Sequence, residues 1–392
     1  MIDQYISAPP DYISEFAKEF DFEDLRPYYD SETEEAMKRI AYEPTYHKAM
    51  AFLFPNMTEQ EMIDKALNIK SPYEFQIDFM YHAIWTIVNT SSAGLTYSGI
   101  DKLDKNKSYL YIANHRDILL DSAILQIILD KENFSTSEIT FGSNLMDSSF
   151  AADFGKMNRM FAVKREGNVK ELYEISRQLS AYIRHTIIDK KVSLWIAQRN
   201  GRAKDGHDLT QTGLLKMLNM SGTKDFEKNF SELNIVPLTI SYEYEPCDAL
   251  KVKENYAVLL NNKYIKEPGE DLNSIITGVK QPKGKIHVAF GTPINKELAE
   301  IASVSNENEK IKLLTATIDK QVYQNFQLNP NNYVAYDMLK ETNEFEKNYS
   351  ATEKEHFVNY MNAQIAPIKG ETEVLINLFL KIYANPVINK LG

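Results

Sequence analysis

Between two apolar runs the chain reads Asn114-His115-Arg116-Asp117, with a second aspartate, Asp121, a few residues further on. Imidazole exchanges a proton near neutral pH. A histidine can therefore take the proton of an alcohol if a carboxylate fixes its tautomer and stabilises the imidazolium. Asp117 and Asp121 are both candidates for that carboxylate, and their i,i+4 spacing places them on one face of the helix expected to follow. Two cationic groups come later in the chain. Lys164 and Arg165 close the run MFAVKR ahead of a helix expected from about Asn168, and fixed charge beside free backbone N–H groups suits a phosphate. Arg199, Arg202 and Lys204 alternate with Gly201 and Gly206 in QRNGRAKDG. Glycine lets backbone approach a ligand closely, and arginine offers a forked donor. Taken singly, the first two signals read better as a helix cap and a pair of solvated cations. A polar loop of the third's length inside a compact fold is more often functional than a flexible basic loop.

The elements around them give the three groups a common place. Short strand-like runs, SYLYIAN, EITFGSN, RMFAVKR, VSLWIAQ, NIVPLTISYE and KIHVAFG, alternate with helical stretches such as ILLDSAILQIILD and NVKELYEISRQLSAYIRHTIID. That alternation predicts an α/β fold with a mixed, largely parallel sheet flanked by helices. In open sheets of this kind ligands bind beyond the carboxyl ends of the strands. ANHRD, KREGN and QRNGRAKDG all follow strands directly. Ahead of them, TEQEMIDKAL opens on a Thr-x-x-Glu capping pattern, and SPYEFQIDFMYHAIWTIVNT carries apolar residues at helical spacing. The expected organisation is a helical N-terminal domain over 1–93, an α/β domain over 94–300, and a C-terminal helical extension over 301–392 packed on the catalytic part.

Composition narrows the function. A formal charge of −11 over 392 residues argues against a general nucleic-acid binder, which needs a dominant basic field. The single cysteine, Cys247 in EPCDAL, excludes a disulfide framework and points to a reducing compartment. There is no Gly-x-Ser-x-Gly elbow, no Walker loop and no paired histidine spacing for a metal. No apolar window is long enough to span a bilayer, and no signal peptide is visible at the N-terminus. The expectation is a cytoplasmic protein, at most peripheral on the inner face of a membrane. The terminal VLINLFLKIYANPVI reads either as a packed helix or as a membrane-surface contact.

The order of the motifs adds a resemblance. An NHxxxxD-like block at His115, a Phe-x-x-x-Arg strand exit (Phe161 and Arg165), a Gly-Arg basic loop and a Val-Pro strand (Val236 and Pro237) resemble the four sequence blocks of the glycerol-3-phosphate and lysophosphatidate acyltransferase family. GKIHVAFGTPI is similar to that family's late strand. The resemblance covers roughly residues 95–295. It implies His115 as general base, oriented by an aspartate, and Arg165 and Arg202 as ligands of the acceptor phosphate with Lys164, Arg199, Asn200 and Gly201 beside them. It also implies an acyl-CoA or acyl-carrier-protein thioester as donor, a phosphorylated glycerol or lysolipid as acceptor, and no further cofactor or metal.

Two departures stand out. The family places four residues between histidine and aspartate, whereas five separate His115 from Asp121; one residue turns a helix by about 100°. Asp121 is the favoured partner because LLDSAIL continues as the family helix does, with Asp117 the rival. Asn200 stands where the family carries glutamate. Other readings are a catalytically degenerate lipid- or acyl-binding protein of the same fold, and an acyl-thioester hydrolase.

Overall fold

Several strand runs are apolar on both faces, and the structure explains why. The computed structural model describes residues 9–10, 12–143, 148–163 and 167–392. Its strands are β1 (Ser92–Ser98), β2 (Leu110–Ala113), β3 (Glu138–Gly142), β4 (Met160–Val163), β5 (Leu194–Ala197), β6 (Ile235–Tyr242) and β7 (Gly284–Phe290). They form one seven-stranded sheet in the order β1-β7-β6-β2-β5-β3-β4. Every residue of β2 and β6 is buried, as strands covered on both faces require. Within β2 the side chains alternate between two cores. Tyr111 and Ala113 enter one cluster, Leu110 and Ile112 the other.

The sheet is mixed. β6, β2, β5, β3 and β4 run parallel to one another, β7 pairs antiparallel with β6, and β1 pairs parallel with β7. Crossovers between parallel strands are helices, among them Leu120–Lys131 and Val169–Ile188. The second begins where Asn168 accepts from the Lys170 and Glu171 N–H groups while Glu171 reaches back to the Asn168 N–H, a reciprocal cap that fixes the start of the helix.

The N-terminal helices, including Asp30–Ala41, Glu59–Leu67 and Tyr81–Ser91, lie on the first face. Met37, Ile40, Phe75 and Ile84 share one apolar cluster with Tyr111, Ile124 and Val288. Thr58 and Glu61 form the capping box read in TEQEMIDKAL. The C-terminal helices Pro330–Lys340, Ala351–Ile365 and Thr372–Leu391 make a third cluster around Phe357, Phe379 and Tyr383, joined by Val252. β1 was not visible as a strand in the sequence. It is a sheet edge with mostly exposed residues, so it lacks the apolar run that marks the others.

Candidate active site

β2 ends at Ala113, and the next residue continues its hydrogen bonding with a side chain. Asn114 Oδ1 accepts from the Ile240 N–H at 2.8 Å and Nδ2 donates to the Ile240 carbonyl at 3.0 Å. The chain then turns out of the sheet over 114–119 before the helix starts at Leu120. Asp117 Oδ1 accepts from the Leu119 and Leu120 N–H groups at 2.9 and 2.8 Å, so it caps this helix start.

Asp121, in the first helical turn, points back at the turn. Its Oδ2 accepts from the Arg116 and Asp117 N–H groups at 2.6 and 2.9 Å and lies 2.9 Å from His115 Nδ1. Its Oδ1 accepts from the Tyr242 hydroxyl at 2.9 Å. The residue by which this chain exceeds the family spacing sits in the non-helical turn, so the helical rotation does not carry Asp121 away from the imidazole. A carboxylate is an acceptor only, which puts the proton on Nδ1 and leaves Nε2 as the basic nitrogen. Trp195 from β5 meets the imidazole edge to face, with centroids 5.6 Å apart at 74°. Burial, then the nearby Asp121 and Asp117 charges, holds the Tyr242 phenol well above its usual value, so it stays a donor. Asp117 Oδ2 is buried without a hydrogen-bond partner among the described residues. Burial and then repulsion from Asp121 push that carboxyl up.

The basic loop after β5 docks onto this turn. The Ala203 N–H donates to the His115 carbonyl at 2.8 Å. Arg116 is 1% exposed; it pairs with Asp208 and, at 3.2 Å, with Glu245, and donates to the Gly206 carbonyl. Lys251 completes the cluster by donating to Glu245 at 2.5 Å and to the Arg116 carbonyl at 2.8 Å. Burial drives the Asp208 carboxyl up despite the pull of Arg116. Sequence reasoning missed Arg116, Asp208, Glu245, Lys251 and Tyr242. The only local signal was the charge of Arg116 next to an apolar strand.

A cleft of about 690 Å3 opens in front of His115. Its lining combines apolar side chains, Ile118, Phe141, Leu179, Leu214 and Met217, with the polar and basic residues Arg199, Asn200, Arg202 and Lys204. Arg202 is 8% exposed. Arg202 Nη1 and Arg199 Nε are buried without hydrogen-bond partners among the described residues. Lys204 pairs with Glu254, also in the cleft lining; burial lowers its pKa and Glu254 opposes the shift. Gly201 takes φ +73, a left-handed turn that glycine adopts without strain. Asn200 is exposed at the rim, with its N–H held by Gln211 at 2.9 Å. The turn and loop thus bring His115, Asp121, Arg199 and Arg202 to one cleft. Lys164 and Arg165 lie outside the described residues. Cys247 is buried, donates to the Ser274 carbonyl and has its thiol pushed up by burial. No described helix is long and apolar enough to cross a membrane. Among the described residues no three His, Cys, Asp or Glu side chains are grouped to hold a metal ion.

No family model matches the chain, and no curated protein matches its sequence. Among solved structures, the crystal structure of the 1-acyl-sn-glycerophosphate (LPA) acyltransferase PlsC from Thermotoga maritima aligns with a TM-score of 0.39 and 12% identity. The alignment covers 75% of this chain and 96% of that one. At that TM-score the likeness adds nothing to what the sheet order and the site geometry establish directly.

Proposed function

We propose that the protein is an O-acyltransferase moving a fatty acyl chain from an acyl thioester, carried by coenzyme A or acyl-carrier protein, to a hydroxyl of glycerol-3-phosphate or a lysophosphatidate. The observation that carries this reading is one cleft lined by an imidazole whose Nδ1 is bound to a carboxylate, by apolar side chains and by two incompletely paired arginines. His115 Nε2 takes the acceptor hydroxyl proton as the oxygen attacks the thioester carbonyl. The new C–O bond forms, the C–S bond breaks, and the leaving thiolate takes the proton back from the imidazolium. Asp121 steadies the charged imidazole through this cycle. Arg199 and Arg202 hold the acceptor phosphate, with Lys164 and Arg165 assigned to the same anion, while the apolar lining residues receive the acyl chain. The thioester is already activated, so the chemistry calls for no covalent acyl-enzyme and no metal.

The test is acyl transfer by purified protein from labelled acyl-CoA and acyl-carrier protein, with and without glycerol-3-phosphate or a lysophosphatidate. The expected result is acceptor-dependent thiol release that His115→Ala abolishes. Acceptor-independent release of free fatty acid would instead identify a hydrolase. Acyl-thioester binding without turnover would identify a binding protein.

A further inference from the structure

The loop that presents Arg199 and Arg202 is held from behind by the last helix of the chain. Helix Thr372–Leu391 contains Pro386. Proline has no N–H, so the carbonyl four residues earlier, Ile382, loses its helical donor. That carbonyl faces Gly206, where a Cβ would collide with it; Gly206 also takes φ +79. Three side-chain contacts follow on the same face. Asn385 Nδ2 donates to the Asp205 carbonyl at 2.7 Å, Asn389 Nδ2 to the Gly206 carbonyl at 3.4 Å, and Asn389 Oδ1 binds His207 Nδ1. The His207 carbonyl in turn accepts from Arg199 Nη1 at 3.4 Å. Asn389 is itself 7% exposed, and a buried amide engaged through both its oxygen and its nitrogen constrains both groups it touches. The helix is anchored elsewhere by Asn332, which donates to the Tyr383 carbonyl at 2.9 Å, and by Lys390, which donates to the Phe326 carbonyl at 3.0 Å.

We propose that the C-terminal helix is a positioning latch for the anion loop: Asn385 and Asn389, with the freed Ile382 carbonyl, set the path of residues 205–207 and through His207 the direction of Arg199. Asn385, Asn389 and Gly206 are positioning residues that touch no substrate. The effect on acceptor binding rests on reading this loop as the phosphate site; the latch itself does not.

The experiment compares wild type with the double variant Asn385→Leu/Asn389→Leu, with Gly206→Ala, and with Asn385→Ala alone at a half-exposed position as the mildest change. Amide hydrogen exchange read by mass spectrometry is expected to speed up about tenfold over residues 199–210 in the double variant, with residues 110–121 unchanged. In transfer assays the acceptor KM rises about tenfold while the donor KM and kcat hold. Asn389→Asp, which keeps an acceptor for His207, recovers part of the loss. Exchange in the loop at the wild-type rate in all variants, or acceleration spread evenly over the chain, would overturn the latch. If wild type transfers no acyl group, the proposed reaction fails, and the exchange data still decide the latch.

Discussion

Asp121→Asn separates charge from geometry at the candidate base. In most carboxylate–histidine pairs an amide can turn its N–H toward the ring and force the wrong tautomer. Here the Asp121 oxygen next to His115 Nδ1 also accepts from the Arg116 and Asp117 N–H groups. An amide N–H in that place would face two backbone N–H groups that can only donate, so the asparagine oxygen must occupy it. The amide nitrogen then faces Tyr242, whose hydroxyl can rotate to accept. The tautomer survives and only the charge is lost. A hydrogen bond to a charged group is worth about 1.5–3 kcal/mol against about 1 kcal/mol for a neutral one, which puts the loss near tenfold in kcat. Asp121→Ala instead strands two buried N–H groups and the Tyr242 hydroxyl. It should cost about 2–5 kcal/mol of stability and on the order of a thousandfold in kcat, like removal of an orienting group elsewhere. Steady-state kinetics beside urea unfolding read both. Equal rates for Asp121→Asn and Asp121→Ala would refute the argument that backbone donors fix the amide.

Arg116→Met leaves buried Asp208 without an ion-pair partner among the described residues and Glu245 with Lys251, and should lower unfolding free energy by about 3–5 kcal/mol in urea titrations. Arg202→Ala should raise the acceptor KM by about tenfold or more and leave the donor KM in place; equal effects on both would count against a phosphate role. Asp319, which accepts from the Thr210 N–H at 2.8 Å, has its carboxyl pushed up to about 6 by burial. The fold therefore favours the protonated form, and the associated stability is present below the unfolded value near 3.9 and lost as pH rises through 6. Asp319→Asn should gain up to about 3 kcal/mol at pH 7, with the gain vanishing below about pH 4 in thermal melts across that range.

What the sequence made legible was what neighbouring residues determine. Apolar strands and their polar exits are local patterns, so β2, β5 and β6 stood out, and with them His115, Asp121 and the Arg199–Arg202 loop. The turn that brings Asp121 to His115 was not legible, because a periodic helix begun one residue earlier would have rotated it away. Tyr242, Asp208 and Glu245 reach the site from 121, 92 and 129 residues away from their partners, and no spacing rule spans that distance. The same holds for Asn385 and Asn389, which read as ordinary polar positions on a terminal helix.

The reversal of direction between β6 and β7 has a consequence for how this cleft can change. A parallel pair would force the intervening chain across the sheet, where its length is fixed by the crossover. An antiparallel pair lets residues 243–283 leave and re-enter at the same end of the sheet, the end where the cleft lies. Glu254, Lys266 and Asp271, all in that excursion, line the cleft. One rim of the site is therefore topologically a long hairpin loop. Residues can be added or removed between its two helices, over 262–269, without re-registering any strand. That leaves the pocket's size adjustable while Glu245 and Lys251 keep their hold on Arg116 beside His115.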